Sequence, residues 1–250
     1  MARSLDEEVR RFHASPVSGA WRYLLLDGVY LRVKAAPQVR RRLVLCAFGI
    51  GTDGRRRLLD FRLADSESEA CWTAFLSDLQ ARGLDGRALR LVVTDGCAGL
   101  HAALQAVYPH IPRQHCWAHK LRNSGNLLKR SQRADCIAGA RRIYQASSRR
   151  AAIAAYWAWA RRWREEAPKA VACLERDLEE LLAHFAVPPE DRRAVRTTNA
   201  IERCFREVRR RTRPMSCFTN DASCERIIYA VFSHLNQNWE ARPSQSPHKP

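Results

Sequence analysis

LRLVVTDGCAGLHAAL, residues 89–104, decides how the rest of the chain is read. Leu91, Val92 and Val93 form a short apolar run of the kind found in a buried strand. The run stops at Thr94-Asp95-Gly96, and apolar residues then return at helical spacing: Leu100, Ala103, Leu104 and Val107. Strand, acidic tip and helix make half of an α/β unit. Asp95 is thereby placed at the carboxyl end of a strand, where open α/β sheets gather ligands.

Toward the N-terminus, WRYLLLDGVYLRVK (residues 21–34) is rich in strand formers. Two readings stay open. Asp27-Gly28 between apolar runs signals a hairpin; alternatively one long strand carries Asp27 at its middle. Residues 43–50 and 57–63 read as two further strands, joined by the turn residues Gly51-Thr52-Asp53-Gly54. Ser66 opens a helix with Ala70, Trp72, Phe75, Leu76 and Leu79 on one face, ending near Gly83. Residues 111–115 read as a fifth strand. Residues 1–20 read as a frayed lead-in ending in the turn cluster Ser15-Pro16-Val17-Ser18-Gly19. Three antiparallel strands, helix, strand and helix is the order of an RNase H-like core, a mixed sheet flanked by helices, over residues 21–115. Fold alone does not give function.

Beyond Cys116 the strand pattern disappears. Residues 126–144, 149–166 and 169–185 read as helices, so 116–188 is expected to be an all-helical insertion between the last strand and the final catalytic helix. Tyr156, Trp157, Trp159 and Trp163 fall at helical spacing there, which reads mainly as core; stacking on bases is the alternative. Residues 189–240 return to the core with two helices. The first, from about Thr198 to Arg211, has an apolar stripe of Ile201, Phe205 and Val208, and the last lies near 224–238. Residues 241–250 read as a disordered tail.

The net charge of +17 and a pI of about 10.2 point to a polyanionic partner, most often nucleic acid. Nearly all of the positive charge is Arg, so a GC-rich genome is the compositional alternative. Nine cysteines without framework spacing fit reduced thiols and a cytoplasmic protein. The charged start MARSLDEEVR is not a signal peptide, and no apolar run reaches membrane-span length.

Asp27, Asp95 and Glu202 are the candidate carboxylates. Phosphodiester chemistry uses two hard cations to activate the attacking oxygen and stabilise the leaving one, and such cations take oxygen ligands. Each residue also has a structural reading: a turn for Asp27, a helix entry for Asp95, and a capping-box partner of Asn199 for Glu202. Beside Glu202, Arg203, Arg206, Arg209, Arg210 and Arg213 suit a phosphate backbone, or else a solvated basic face. Cys116 and His119 form one C-x-x-H without a second ligand pair at finger spacing, which reads as a packed corner rather than a zinc site.

TDGCAGLHAALQAVYPH, QHCWAHKLRN and PPEDRRAVRTTNAIERCFREVRRRTR together resemble the bacterial Mutator-type insertion-sequence transposases, as do WRYLLLDGVYLRVK and RLADSESEACWTAFLSDLQARGL. The resemblance covers most of residues 20–238 in order. It implies a DDE catalytic domain with catalytic Asp27, Asp95 and Glu202 binding two Mg²⁺, with Mn²⁺ as a substitute. It makes Cys116 and His119 the family's C-x-x-H signature. It further implies DNA partners (transposon ends and target), a homo-oligomer on DNA, nucleoid association, and cleavage that frees a 3′-hydroxyl for strand transfer. A nuclease without strand transfer, or a transposase reduced to DNA binding, are the alternatives. The family usually carries a substantial DNA-binding region ahead of the first catalytic Asp. Here 26 residues precede Asp27, with no helix-turn-helix pattern.

Overall fold

A computed structural model describes residues 2–35 and 38–241. The expected tail at 241–250 therefore lies, apart from Ala241, outside the described residues. Five strands form a mixed sheet in the order β3-β2-β1-β4-β5: β1 Trp21–Ala35, β2 Gln38–Gly51, β3 Arg56–Ala64, β4 Leu91–Thr94 and β5 Arg113–His115. By contact density the chain separates into two units. One comprises residues 1–92, 96–111 and 199–250; the other comprises 93–95 and 112–198.

In the first unit, β1, β2 and β3 are an antiparallel meander, and β1 runs straight through Asp27-Gly28. The hairpin reading is thus replaced by the long strand. Asp27 pairs with Cys46 and Gly28 with Leu45, deep inside an unbroken ladder. A turn signal yields here because the apolar residues on both sides of Asp27 are needed in one register. Leu24 and Leu26 of β1 join Leu43, Leu45 and Ala47 of β2 in a core with Trp72, Phe75, Leu76 and Leu79 of α2 (Glu69–Ala81) and Leu100, Ala103 and Leu104 of α3 (Ala98–Val107). The cap of α2 is Ser68 rather than Ser66: its hydroxyl accepts from the Cys71 amide at 3.3 Å.

The other sheet face is covered by α10 (Asn199–Thr212) and α11 (Asp221–Glu240). Phe232 of α11 sits edge-on to both Phe61 and Phe205, with ring centroids 5.4 and 5.5 Å apart. Phe48 meets Trp239 at 5.5 Å and 81°. Beyond the short β4, the outer end of β1 is bridged by Phe218: the Lys34 amide donates to its carbonyl at 2.7 Å, and its own amide donates to the Arg32 carbonyl at 2.9 Å.

Residues 1–20 are not a frayed lead-in: α1 spans Ala2–Ala14. Its charged sequence hides a narrow stripe, Leu5, Val9 and Phe12. Phe12 packs against Phe61 and Tyr229, and His13 Nδ1 lies 2.6 Å from Asp60 Oδ1. Asp60 is fully buried and also receives Arg82 and the Phe61 amide, the latter at 2.7 Å.

The second unit is helical outside β4 and β5: α4 Trp117–Asn126, α5 Arg130–Gln145, α6 Arg149–Trp163, α7 Pro168–Arg176, α8 Leu178–Leu182, a 3₁₀ turn Ala183–Ala186, and α9 Arg192–Val195. Its core gathers Trp117, Ile143, Tyr156, Trp159, Trp163 and Leu174. The helix expected over 169–185 is broken at Asp177, whose carboxylate turns to Lys120, with His115 Nδ1 at 3.5 Å. Tyr156, Trp159 and Trp163 are core as expected, whereas Trp157 is 53% exposed.

Candidate active site

Asp27 stands at the centre of β1 and is 3% exposed. Side chains alternate along a strand. Leu24 and Leu26 face α2 and α3, so Asp27 faces the side covered by α10 and α11. Its ladder partner Cys46 confirms the direction: burial pushes the Cys46 thiol up, and Cys204 of α10 and Asp27 add to the rise. An ionised carboxylate in such a place is expensive unless it is paired or ligating.

Glu202 is in the first turn of that same α10, where the helix dipole favours a negative charge. Ile201, Cys204, Phe205 and Val208 bury the helix's inner stripe, which holds Glu202 half-buried at its edge. The helix begins at Asn199 itself, so Glu202 stands one position beyond the capping-box place.

Asp95 comes directly after the last residue of β4, and β4 is the sheet neighbour of β1. Two glycines shape the passage from there into α3. Gly96 has φ +85°, which L side chains rarely adopt, so the chain turns sharply as soon as Asp95 has been placed. A Cβ on Gly99 would lie 2.8 Å from Glu69 N and Ser68 C, and closer still to the Glu67 carbonyl; glycine is what lets α3 start against the α2 entry. On the other side of Asp95, the Cys116 amide donates to the Thr94 carbonyl at 2.7 Å. His115 hydrogen-bonds the Asp95 backbone, while burial, aided by Lys120, keeps its imidazole below the usual pKa.

Cys116 and His119 meet at Thr198. The Thr198 amide donates to Cys116 Sγ at 3.2 Å and its hydroxyl does so at 3.4 Å; His119 Nδ1 is 3.4 Å from the same hydroxyl. Burial raises the Cys116 thiol, yet the hydrogen bond and charge of His119 outweigh it, leaving the thiol below its ordinary pKa. Spacing alone gives Thr198 no part in this corner; its one signal is the tandem Thr197-Thr198 ahead of Asn199.

The sequence model of a family described as "Transposase, Mutator family" matches residues 1–242. The chain belongs to this family. Curated relatives include the transposase for insertion sequence element ISRM5 of Rhizobium meliloti, 35% identical, covering 95% of this chain and 59% of the relative. The transposase for IS406 of Burkholderia multivorans is 38% identical, covering 95% and 61%. That for IST2 of Acidithiobacillus ferrooxidans is 38% identical, covering 86% and 73%. The chain thus spans about three fifths of the length of the first two.

In this Mutator-family chain the arginines expected to meet phosphate, Arg203, Arg206, Arg209, Arg210 and Arg213, are all exposed along α10 and its end. Arg210 is partly committed, since Glu207 holds it at 2.9 Å and Arg211 at 2.7 Å. Arg211, then Arg210, hold the Glu207 carboxyl below its ordinary pKa. The ladder therefore carries an internal counter-charge that a count of arginines misses.

The donor chemistry of Asp27, Asp95 and Glu202, carboxylate oxygen only, fits a hard divalent cation rather than a soft one. Among the described residues no group of three or more His, Cys, Asp or Glu side chains is gathered so as to hold a metal ion. Among them, too, no helix is long and apolar enough to cross a membrane.

Proposed function

We propose that this chain carries the catalytic part of a DNA transposase: an RNase H-like scaffold, interrupted by the helical segment 116–188, that cleaves DNA at transposon ends and joins the freed 3′-hydroxyl to target DNA. The observation that carries the reading is the placement of the carboxylates. Asp27 is buried mid-strand on the sheet face that α10 covers, and α10 bears Glu202 in its first turn.

Asp27, Asp95 and Glu202 would hold Mg²⁺, two ions in the full reaction, with Mn²⁺ able to substitute. When bound, such ions lower the pKa of the attacking oxygen and neutralise charge on the leaving one. The chain's own residues do the rest. Gly96 and the Cys116–Thr94 hydrogen bond fix the Asp95 backbone, and the buried stripe of α10 fixes Glu202. The exposed arginines on α10 bind and orient the DNA backbone beside it. Water is the nucleophile of the first step, releasing a 3′-hydroxyl, and that hydroxyl attacks a target phosphodiester in the second, without a covalent enzyme intermediate. Two DNA ends acting together favour a homo-oligomer on DNA.

The test is nicking of supercoiled plasmid at low salt with Mg²⁺ or Mn²⁺, wild type against Asp95→Asn. Metal-dependent nicking by wild type that disappears in the variant supports the assignment. Equal nicking by both proteins, or none by wild type while it still binds DNA, contradicts it, the latter leaving a DNA-binding protein.

A further inference from the structure

The first unit contains a groove of about 360 Å³ walled by α10, by the last two turns of α11 and by the β2–β3 end of the meander. Arg203 and Arg206 of α10 line one side and Arg56 of β3 the other, while Phe48, Leu235 and Trp239 make an apolar wall. Glu207 is the groove's carboxylate, and its charge is already countered by Arg210 and Arg211. The groove is therefore cationic with one aromatic wall. Phe48 grips the Trp239 indole edge-on, 5.5 Å between centroids, which fixes the half-buried ring as a platform. A second cavity of about 350 Å³ shares Arg56 and adds Arg55 and Arg57 together with Asp53 and Glu240, and Asp53 holds Arg55 at 3.4 Å, so the charge there is mixed.

Resting on the transposase reading above, we infer that this groove is a single-strand nucleotide subsite, taking an unpaired nucleotide of the DNA strand that leaves the Glu202 end of α10. Arg206, four residues beyond Glu202, neighbours it one turn along α10, and Arg203 lies farther round the helix in the groove wall, so Arg206 links the Glu202 end to the groove. Arg56 takes the next phosphate. The base lies on Trp239. An unpaired strand is the fitting occupant because a base face is open to an indole only when it is not stacked in a duplex, and stacking on an aromatic side chain tolerates any base. The pocket is also within the size range that encloses a small ligand.

The experiment measures binding of oligothymidylate and of a random-sequence duplex in EDTA, across a salt series, so that the outcome does not depend on cleavage. Trp239→Ala is expected to weaken oligothymidylate binding about 5- to 150-fold, with duplex binding and the salt slope unchanged. Trp239→Phe, which keeps an aromatic face, retains most of the affinity and controls for folding. Arg56→Ala is expected to reduce the single-strand salt slope by about 0.7, the loss of one phosphate contact. If both alanine variants bind oligothymidylate like wild type, the subsite is overturned and the catalytic assignment, read separately by nicking with Asp95→Asn, is untouched. If wild type binds neither DNA, both readings fall. Equal weakening for single strand and duplex by Trp239→Ala also overturns the subsite, since it marks a structural role.

Discussion

Replacing Gly99 with alanine puts two opposing effects against each other. Alanine is favoured over glycine within a helix by about 1 kcal/mol. Against this, the new Cβ would meet backbone atoms of Glu67, Ser68 and Glu69, two of them at 2.8 Å. Carbon contacts relax only at about 3.5–4.0 Å, so the start of α3 must retreat by about 1 Å. Backbone cannot swing aside as a side-chain tip can, so overpacking wins, with a net loss of about 1–3 kcal/mol. The functional effect is larger. Three residues of chain separate Gly99 from Asp95, and the displacement is passed to that carboxylate through Cys97 and Gly96. A misplacement of about 1 Å at a reacting group lowers a rate by about 100-fold. Urea unfolding followed by circular dichroism reads the first number, and plasmid nicking under Mg²⁺ reads the second. A variant that nicks within twofold of wild type while remaining folded would refute the claim that the α2–α3 approach places Asp95.

Two further outcomes concern stability. Asp60→Ala leaves Arg82 and His13 buried beside an apolar gap, and removing one partner of a buried ion pair costs about 3–5 kcal/mol; because Asp78 still holds Arg82 at 2.9 Å, the lower end is expected. A urea midpoint unchanged in this variant would mean that the network does not anchor α1. His184 is buried against Gln114, and burial lowers its pKa to about 4. Its unfolded pKa is about 6.5, so the unfolded chain binds the proton first as pH falls. The neutral ring's contribution is complete above a pH of about 6.5 and is lost toward about pH 4, about 3 kcal/mol in all. A His184→Gln variant should flatten that part of the stability profile, and an equally steep fall in the variant would rule the residue out.

What could be read from residues alone was whatever repeats with a period or carries a fixed chemical meaning. The strand read over residues 43–50 and the helical spacing of Trp72, Phe75, Leu76 and Leu79 survive in β2 and α2. Asp27-Gly28 misleads because a turn dipeptide reports local preference, whereas the ladder of β1 against β2 is set by residues far along the chain. The helix α1 is hidden for the same reason: three apolar residues among charges mean little until Phe61, Tyr229 and Asp60 are there to meet Phe12 and His13. The break at Asp177 needs Lys120, 57 positions away, to draw the carboxylate off its helix. At the candidate site the three carboxylates are legible as residue types, Asp95 and Glu202 at element ends and Asp27 in mid-strand. The glycine that admits α3 is legible only in space; the threonine that meets the C-x-x-H pair shows only as the tandem Thr197-Thr198, and the glutamate that answers Arg210 and Arg211 stands at a helical spacing that a count of arginines passes over.

The Phe218 bridge to β1 has a consequence for behaviour in concentrated solution. A fifteen-residue strand beside a four-residue neighbour would leave a row of amides and carbonyls able to template another chain. By engaging Lys34 and Arg32 the bridge insulates that edge, so this segment works as a guard against strand addition between molecules. Loosening it is expected to register first as aggregation during expression, ahead of any change in the plasmid-nicking assay.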